Sequence, residues 1–284
     1  MSEPRRIEKL AIAVSFFYVD ERLRYLERIA REFPLLADQI VLTIVTNRDD
    51  DAAKTAIAAA VGGIAHEVLV PTLLGHPYLL TWTHFVAFRR LMAEDESVTH
   101  FLYVEDDVLI QPHNVAYWLK GREALRTSGH YPSFLRYELR DGEALPYSSD
   151  VTLVTPIDQL PRVEVDRSYV YFNLPLAYQG MYLYDRPLMD EHLNGKSSNP
   201  DTGRWGIRER ATQGLTFHRV PKGFTSRNLV GYDLDKGELD PGCLIHHLPN
   251  TYAATPGTRL GKTLVRDIIG PPVTAIPPGH AIAF

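Results

Sequence analysis

FLYVEDDVLI, residues 101–110, sets three consecutive carboxylates, Glu105, Asp106 and Asp107, inside a run that otherwise reads as a buried strand. Like charges this close repel one another and cost free energy on leaving water, so a folded chain keeps them where a cation or solvent satisfies them. If the backbone stays extended through the triplet, Glu105 and Asp107 project to one side and Asp106 to the other. Two hard oxygen donors on one side make a partial site for Mg²⁺ or Mn²⁺.

The flanking pattern predicts where that site would sit. KLAIAVSFF (residues 9–17) reads as a strand, and ERLRYLERIAREF (21–33) spaces Leu23, Leu26, Ile29 and Ala30 as a helix does. IVLTIVT (40–46) repeats the strand signal, and Asp51 is placed to cap a helix over 52–61 that ends at Gly62 and Gly63. A third strand is predicted over 66–70, a helix with Pro77 in its first turn over 77–93, and a further helix from Pro112 to about Leu125. Strands alternating with helices predict an α/β fold, with a mostly parallel central sheet flanked by helices on both faces. In such sheets ligands collect beyond the C-terminal strand ends, where the acidic triplet lies.

Beyond Gly129 the texture changes. PSFLRYEL (132–139), VTLVTP (151–156) and SYVYFNLP (168–175) read as strands, GMYLYDRPLMDEHL (180–193) as a strand and short helix, and NGKSSNPDTGRWG (194–206) as a polar loop. The last residues, from 271 on, are Pro-rich and predicted to lie extended on the surface.

Composition narrows the function classes. The chain has 284 residues, 45% of them apolar, and a net charge of −5, so no basic field draws it to nucleic acid. One cysteine, Cys243, makes no internal disulfide, and no apolar stretch reaches the ~20 residues that span a bilayer. A cytoplasmic protein is expected, with at most a peripheral membrane contact.

A second apolar run also ends in metal-ligating side chains. CLIHHLPNTY, residues 243–252, presents His246 and His247, an adjacent pair that offers at least one imidazole to a cleft. With an acidic triplet ending a strand about a third of the way along and a histidine roughly 140 residues later, the chain resembles the GT-A-fold glycosyltransferases, which use a DxD-type motif and a divalent cation. The motif stands here as Glu105-Asp106-Asp107. The resemblance implies a single GT-A-like domain over 1–284. Residues 1–130 would be its nucleotide-binding half, 131–270 its strand-rich acceptor half with the metal-binding histidine, and 271–284 an extended tail.

Site roles follow from the same resemblance. Asp107 would bind Mn²⁺ or Mg²⁺ together with His247 or its neighbour His246, while Glu105 and Asp106 would face the ribose or sugar of a nucleotide-sugar donor. Phe17, Tyr18, Thr46, Asn47 and Arg48, at the ends of the first two strands, would contact base and ribose, with Arg22 as a phosphate partner. In the 77–93 helix Trp82 is assigned to the core, and His84 or Arg89 to the donor site. The general base would be Glu209 of RWGIRERAT (204–212), or failing it Asp201. Tyr178 and Tyr182 would stack on sugars, and the 194–203 segment would close over the donor. The implied activity is transfer of a sugar from a nucleotide diphosphate, UDP ahead of GDP, to a hydroxyl of a glycan or small-molecule acceptor. The rivals are a metal-dependent phosphohydrolase or nuclease, and a non-catalytic carbohydrate-binding protein.

Overall fold

A computed structural model describes residues 6–72, 77–175 and 178–273. The first apolar run forms β1 (Ile7–Phe16), buried continuously from Leu10 onward. A strand apolar on both faces belongs in the middle of a covered sheet. Accordingly β1 lies between β2 (Ala37–Thr46) and β4 (His100–Glu105), parallel to both, with β3 (His66–Leu69) beyond β2. The strand Met181–Asp185 closes the other edge, antiparallel to β4.

The chain is therefore α/β, but its sheets are mixed rather than mostly parallel throughout. Among the described residues, two of the three other sheets also combine parallel and antiparallel pairs. In the central sheet the antiparallel member is the edge strand Met181–Asp185, which the strand-rich half adds beside β4.

Strand order decides where a ligand can enter. From β1 the chain moves outward to β2 and β3, then returns to the far side of β1 as β4. Right-handed crossovers place the connecting helices before and after such a reversal on opposite faces. Helices Leu23–Ala30 and Asp51–Ala60 touch each other, whereas His84–Glu94 packs against Arg186–Asn194. Between the C-terminal ends of β1 and β4 the loops part, leaving the crevice where α/β sheets bind ligands.

The run 101–110 is not one strand. Its first part ends as β4 at Glu105, Asp106 and Asp107 form a turn, and the chain resumes as β5 (Val108–Leu109) in a second sheet. There β5 pairs antiparallel with Leu244–His247, which runs parallel to Leu135–Leu139. The acidic turn is thus the joint between two sheets.

Other expectations shift for local reasons. The helix expected over 77–93 divides into a 3-10 segment, Pro77–Trp82, and a helix, His84–Glu94. Trp82 Nε1 donates to the Ile207 carbonyl at 2.7 Å, tying the first part to another helix. In 151–156 only Thr155–Pro156 is strand, and Leu153 and Val154 are exposed. Residues 274–284 of the expected tail lie outside the described residues. Among the described residues no helix is long and apolar enough to cross a membrane.

The cap of helix Asp51–Ala60 is Asp50, not Asp51: its side chain accepts from the Ala53 amide at 3.0 Å. Asp50→Ala is expected to lower Tm in a thermal melt and Asp51→Ala to leave it nearly unchanged, because only the first removes an acceptor from the orphan amides of the first turn.

Candidate functional site

A cleft of ≈ 890 Å³ opens at this crevice. Ser15 and Phe17 line it from the end of β1, the acidic turn from β4, and Tyr178, Trp205, Arg208, Glu209, His247 and Tyr252 from the second half. The Glu105 amide still bonds to the Gly180 carbonyl at 3.2 Å, the last ladder contact before the turn. With Asp106 and Asp107 in a turn, all three carboxylates reach the same cleft, and the two-sided arrangement expected of an extended triplet does not occur. Gly180 is needed here twice over. Its φ is +66°, and a Cβ would stand 3.1 Å from Glu105 Oε2 and 3.2 Å from Arg136 Nη1.

Charge is crowded in this joint. Arg22, from the 3-10 turn Asp20–Arg22, forks onto Asp106 with Nε donating to Oδ2 at 2.8 Å and Nη2 to Oδ1 at 2.7 Å. The same Nη2 donates to Asp107 Oδ2 at 2.8 Å. Asp107 Oδ1 is buried with no hydrogen-bond partner among the described residues. Burial pushes the Asp106 carboxyl up to about 7 even against Arg22, and the like charge of Asp107 adds to the rise. Glu105 is raised by burial and by Asp107, opposed by Arg136 and by a hydrogen bond from Tyr178 OH at 3.1 Å. Arg136 is itself forked onto Asp150 at 2.7 and 2.9 Å, with its guanidinium 4.6 Å from the Tyr178 ring centroid. The cleft lining holds five carboxylates against three guanidiniums.

His247 joins the cluster through the second sheet. Its ladder partner is Val108, so strand pairing sets it beside Asp107, and its Nε2 lies 3.8 Å from Asp107 Oδ2. Leu248 N bonds to the Asp107 carbonyl at 2.9 Å and closes the contact. On the other side of the ring, Nδ1 meets Glu138 Oε1 at 2.5 Å, while Glu138 Oε2 accepts from the Ala253 amide at 2.5 Å. Glu138 is fully buried, and an imidazole that donates Nδ1–H to it turns Nε2 toward Asp107. His246 points elsewhere: it stacks on Tyr137 and bonds to Asn250 Oδ1 at 2.9 Å.

Among the described residues no group of three or more His, Cys, Asp or Glu side chains could hold a metal ion by itself. Asp107 and His247 nevertheless suit one as a pair. One offers an unpartnered buried carboxylate oxygen, the other an imidazole nitrogen oriented by a second carboxylate, and phosphate oxygens commonly complete such a shell.

The structure brings together Phe17, Arg22, Glu105, Asp106, Asp107, Glu209 and His247 at the cleft. Glu209 is paired with Arg208 at 2.8 Å. Asp201 is exposed and outside the cleft lining. Tyr18, Thr46, Asn47 and Arg48 also lie outside that lining: Asn47 accepts from the Tyr18 amide at 2.6 Å, Arg48 pairs with Asp50, and Thr46 is buried. His84 is core, between the Thr81 carbonyl and Tyr182 OH, each at 2.6 Å, and Tyr182 is buried with it. Arg89 bonds to the Leu193 carbonyl at 2.7 Å. The polar loop is tied down by Arg210, which donates to the carbonyls of Pro200 and Trp205 at 2.8 and 2.6 Å.

Sequence reasoning missed Arg136, Glu138 and Asp150. The signal for two of them was present in PSFLRYEL, where charges interrupt an apolar strand much as they do in 101–110. No family model matches the chain, and no curated protein matches it at a significant level.

Burial lowers His84 to about 3 and His192 well below the ordinary histidine value. The unfolded chain takes up these protons near pH 6.5 and the folded chain does not until far lower, so acid favours unfolding between about 6.5 and 3. The part of this acid sensitivity that His84 contributes is read as a difference: between about pH 6.5 and 3, the Tm of His84→Gln is expected to gain on that of the wild type as pH falls.

Proposed function

We propose that the chain is a metal-dependent glycosyltransferase of the GT-A type. It would move a sugar from a nucleotide-diphosphate donor, UDP ahead of GDP, to a hydroxyl of a glycan or small-molecule acceptor. The observation that carries the reading is the convergence of Asp107 and His247, 3.8 Å apart at the switch point of the sheet, in a cleft lined by more carboxylates than guanidiniums. A cytoplasmic location belongs to the same proposal.

Breaking a bond to a nucleotide diphosphate releases an anion whose charge grows in the transition state. Asp107 and His247 would hold a divalent cation, which would supply Lewis-acid stabilisation of that charge. Glu138 keeps His247 in the tautomer that can serve, and Arg22 adds a positive group beside the same oxygens. Glu105 and Asp106 accept hydrogen bonds from donor hydroxyls. Glu209 is the better placed of the two base candidates, since Asp201 does not line the cleft. Phe17, Tyr178 and Trp205 supply apolar walls that keep water from competing with the acceptor.

Isothermal titration with UDP and GDP, each with and without Mn²⁺, tests the reading directly. Metal-dependent nucleotide binding is expected, and its absence for both nucleotides would overturn the proposal. Asp107→Ala is expected to abolish the metal-dependent part while Tm stays near that of the wild type. Release of inorganic phosphate from nucleotides or sugar phosphates, without transfer, would favour a phosphohydrolase.

Glu138→Gln leaves one acceptor oxygen where two bonds are now made. It is expected to weaken Mn²⁺ binding about 10–100-fold, as loss of a partner behind a ligating histidine generally does. Titration with Mn²⁺ in the presence of UDP reads it.

A further inference from the structure

We propose that Arg22 is a resident counterion of the acidic turn, holding Asp107 in the cation-free protein and giving up that contact when cation and diphosphate bind. The inference rests on the metal-dependent reading of the cleft and adds to it a role for Arg22 before any ligand arrives.

The geometry of the guanidinium is asymmetric. Asp106 receives a two-point fork, at 2.8 and 2.7 Å, whereas Asp107 receives one N–H, from an Nη2 already engaged with Asp106. The Asp107 contact can therefore be lost while the fork survives. The oxygen it covers is Oδ2, the one 3.8 Å from His247 Nε2. A cation drawn to Asp107 and His247 would meet a positive group 2.8 Å from that oxygen, and like charges at such range oppose each other. The other oxygen, Oδ1, is buried with no partner among the described residues, so the carboxylate is only half satisfied by Arg22.

Arg22 is also less confined than the carboxylates it holds. It sits in a three-residue 3-10 turn rather than in a strand, and its side chain is 32% exposed, against 10% for Asp107. Once off Asp107, the freed N–H faces the cleft beside the cation site, where phosphate oxygens are its natural acceptors. Arg22 thus opposes a cation arriving alone and favours one arriving with diphosphate, so the two ligands bind cooperatively through it.

Mn²⁺ titrations of the wild type, Arg22→Gln and Arg22→Lys, first alone and then with UDP, separate these effects. Arg22→Gln is expected to bind Mn²⁺ alone about tenfold tighter or more, and UDP at saturating Mn²⁺ about tenfold weaker or more, the scale of one charge-assisted hydrogen bond. Arg22→Lys keeps the charge but cannot fork Asp106 while reaching Asp107. It is expected to show the same gain in Mn²⁺ affinity, smaller in size, and it serves if the Gln variant fails a thermal melt. Unchanged or weaker Mn²⁺ binding in a folded variant overturns the counterion role, while metal-dependent UDP binding by the wild type would leave the underlying reading standing. No Mn²⁺ binding by the wild type even with UDP overturns both.

Discussion

Two nearly buried carboxylates, Asp106 and Asp107, share one guanidinium, and the joint between the two main sheets is built around that cluster. Like charges in apolar surroundings hold their protons or resist folding unless something neutralises them. Arg22 does this for Asp106 and part of Asp107, and Arg136, 3.8 Å from Glu105, does a little for the third carboxylate. Burial, with the like charge of Asp107 behind it, still raises Asp106 to about 7 against Arg22, and one oxygen of Asp107 keeps no partner among the described residues. A cluster left short of positive charge, facing an open cleft, is suited to receive a cation.

Holding such a cluster in place takes rigid support on both sides. Before the turn, Phe101 to Val104 are buried in β4 between β1 and the strand Met181–Asp185, so the carboxylates hang from a stem that cannot yield. Beyond it, pairing of β5 with Leu244–His247 sets the register that puts His247, and not His246, beside Asp107. Behind β4 the polar groups of the core are uncharged. His84, Tyr103 and Tyr182 pack ring to ring, with His84 and Tyr103 centroids 4.1 Å apart. Neutral rings, two of them joined by the His84–Tyr182 hydrogen bond, fill that space without adding charge to a region already crowded with it.

Much of the sheet was legible because its signal is local. A short run of β-branched and aromatic residues followed by an amphipathic helix needs no partner to be recognised, and β1 to β4 appear within a few residues of where those runs lie. Errors arose where a neighbour overrode the local pattern. Trp82 bonding to Ile207 goes with a helix divided at 83, and a strand of the second half made the central sheet mixed. His84 was expected at the donor site, but its ring is held in the core by a local partner, the Thr81 carbonyl, and by Tyr182, 98 residues away and invisible from the helix. Arg136 and Glu138 went unnoticed for the converse reason, since their partners Asp150 and His247 are not visible from the strand that carries them.

By itself the sequence determined that acidic side chains end an apolar strand and that histidines end another, because hydrophobic runs and charges are properties of short segments. Which oxygen meets which nitrogen was decided only by tertiary structure. The turn at Asp106 and Asp107, rather than continued strand, brings all three carboxylates to one cleft, and the pairing of Val108 with His247 selects one imidazole of two. Those outcomes depend on register between strands roughly 140 residues apart, and side chains swap faces with every one-residue slip, so no local pattern could contain them.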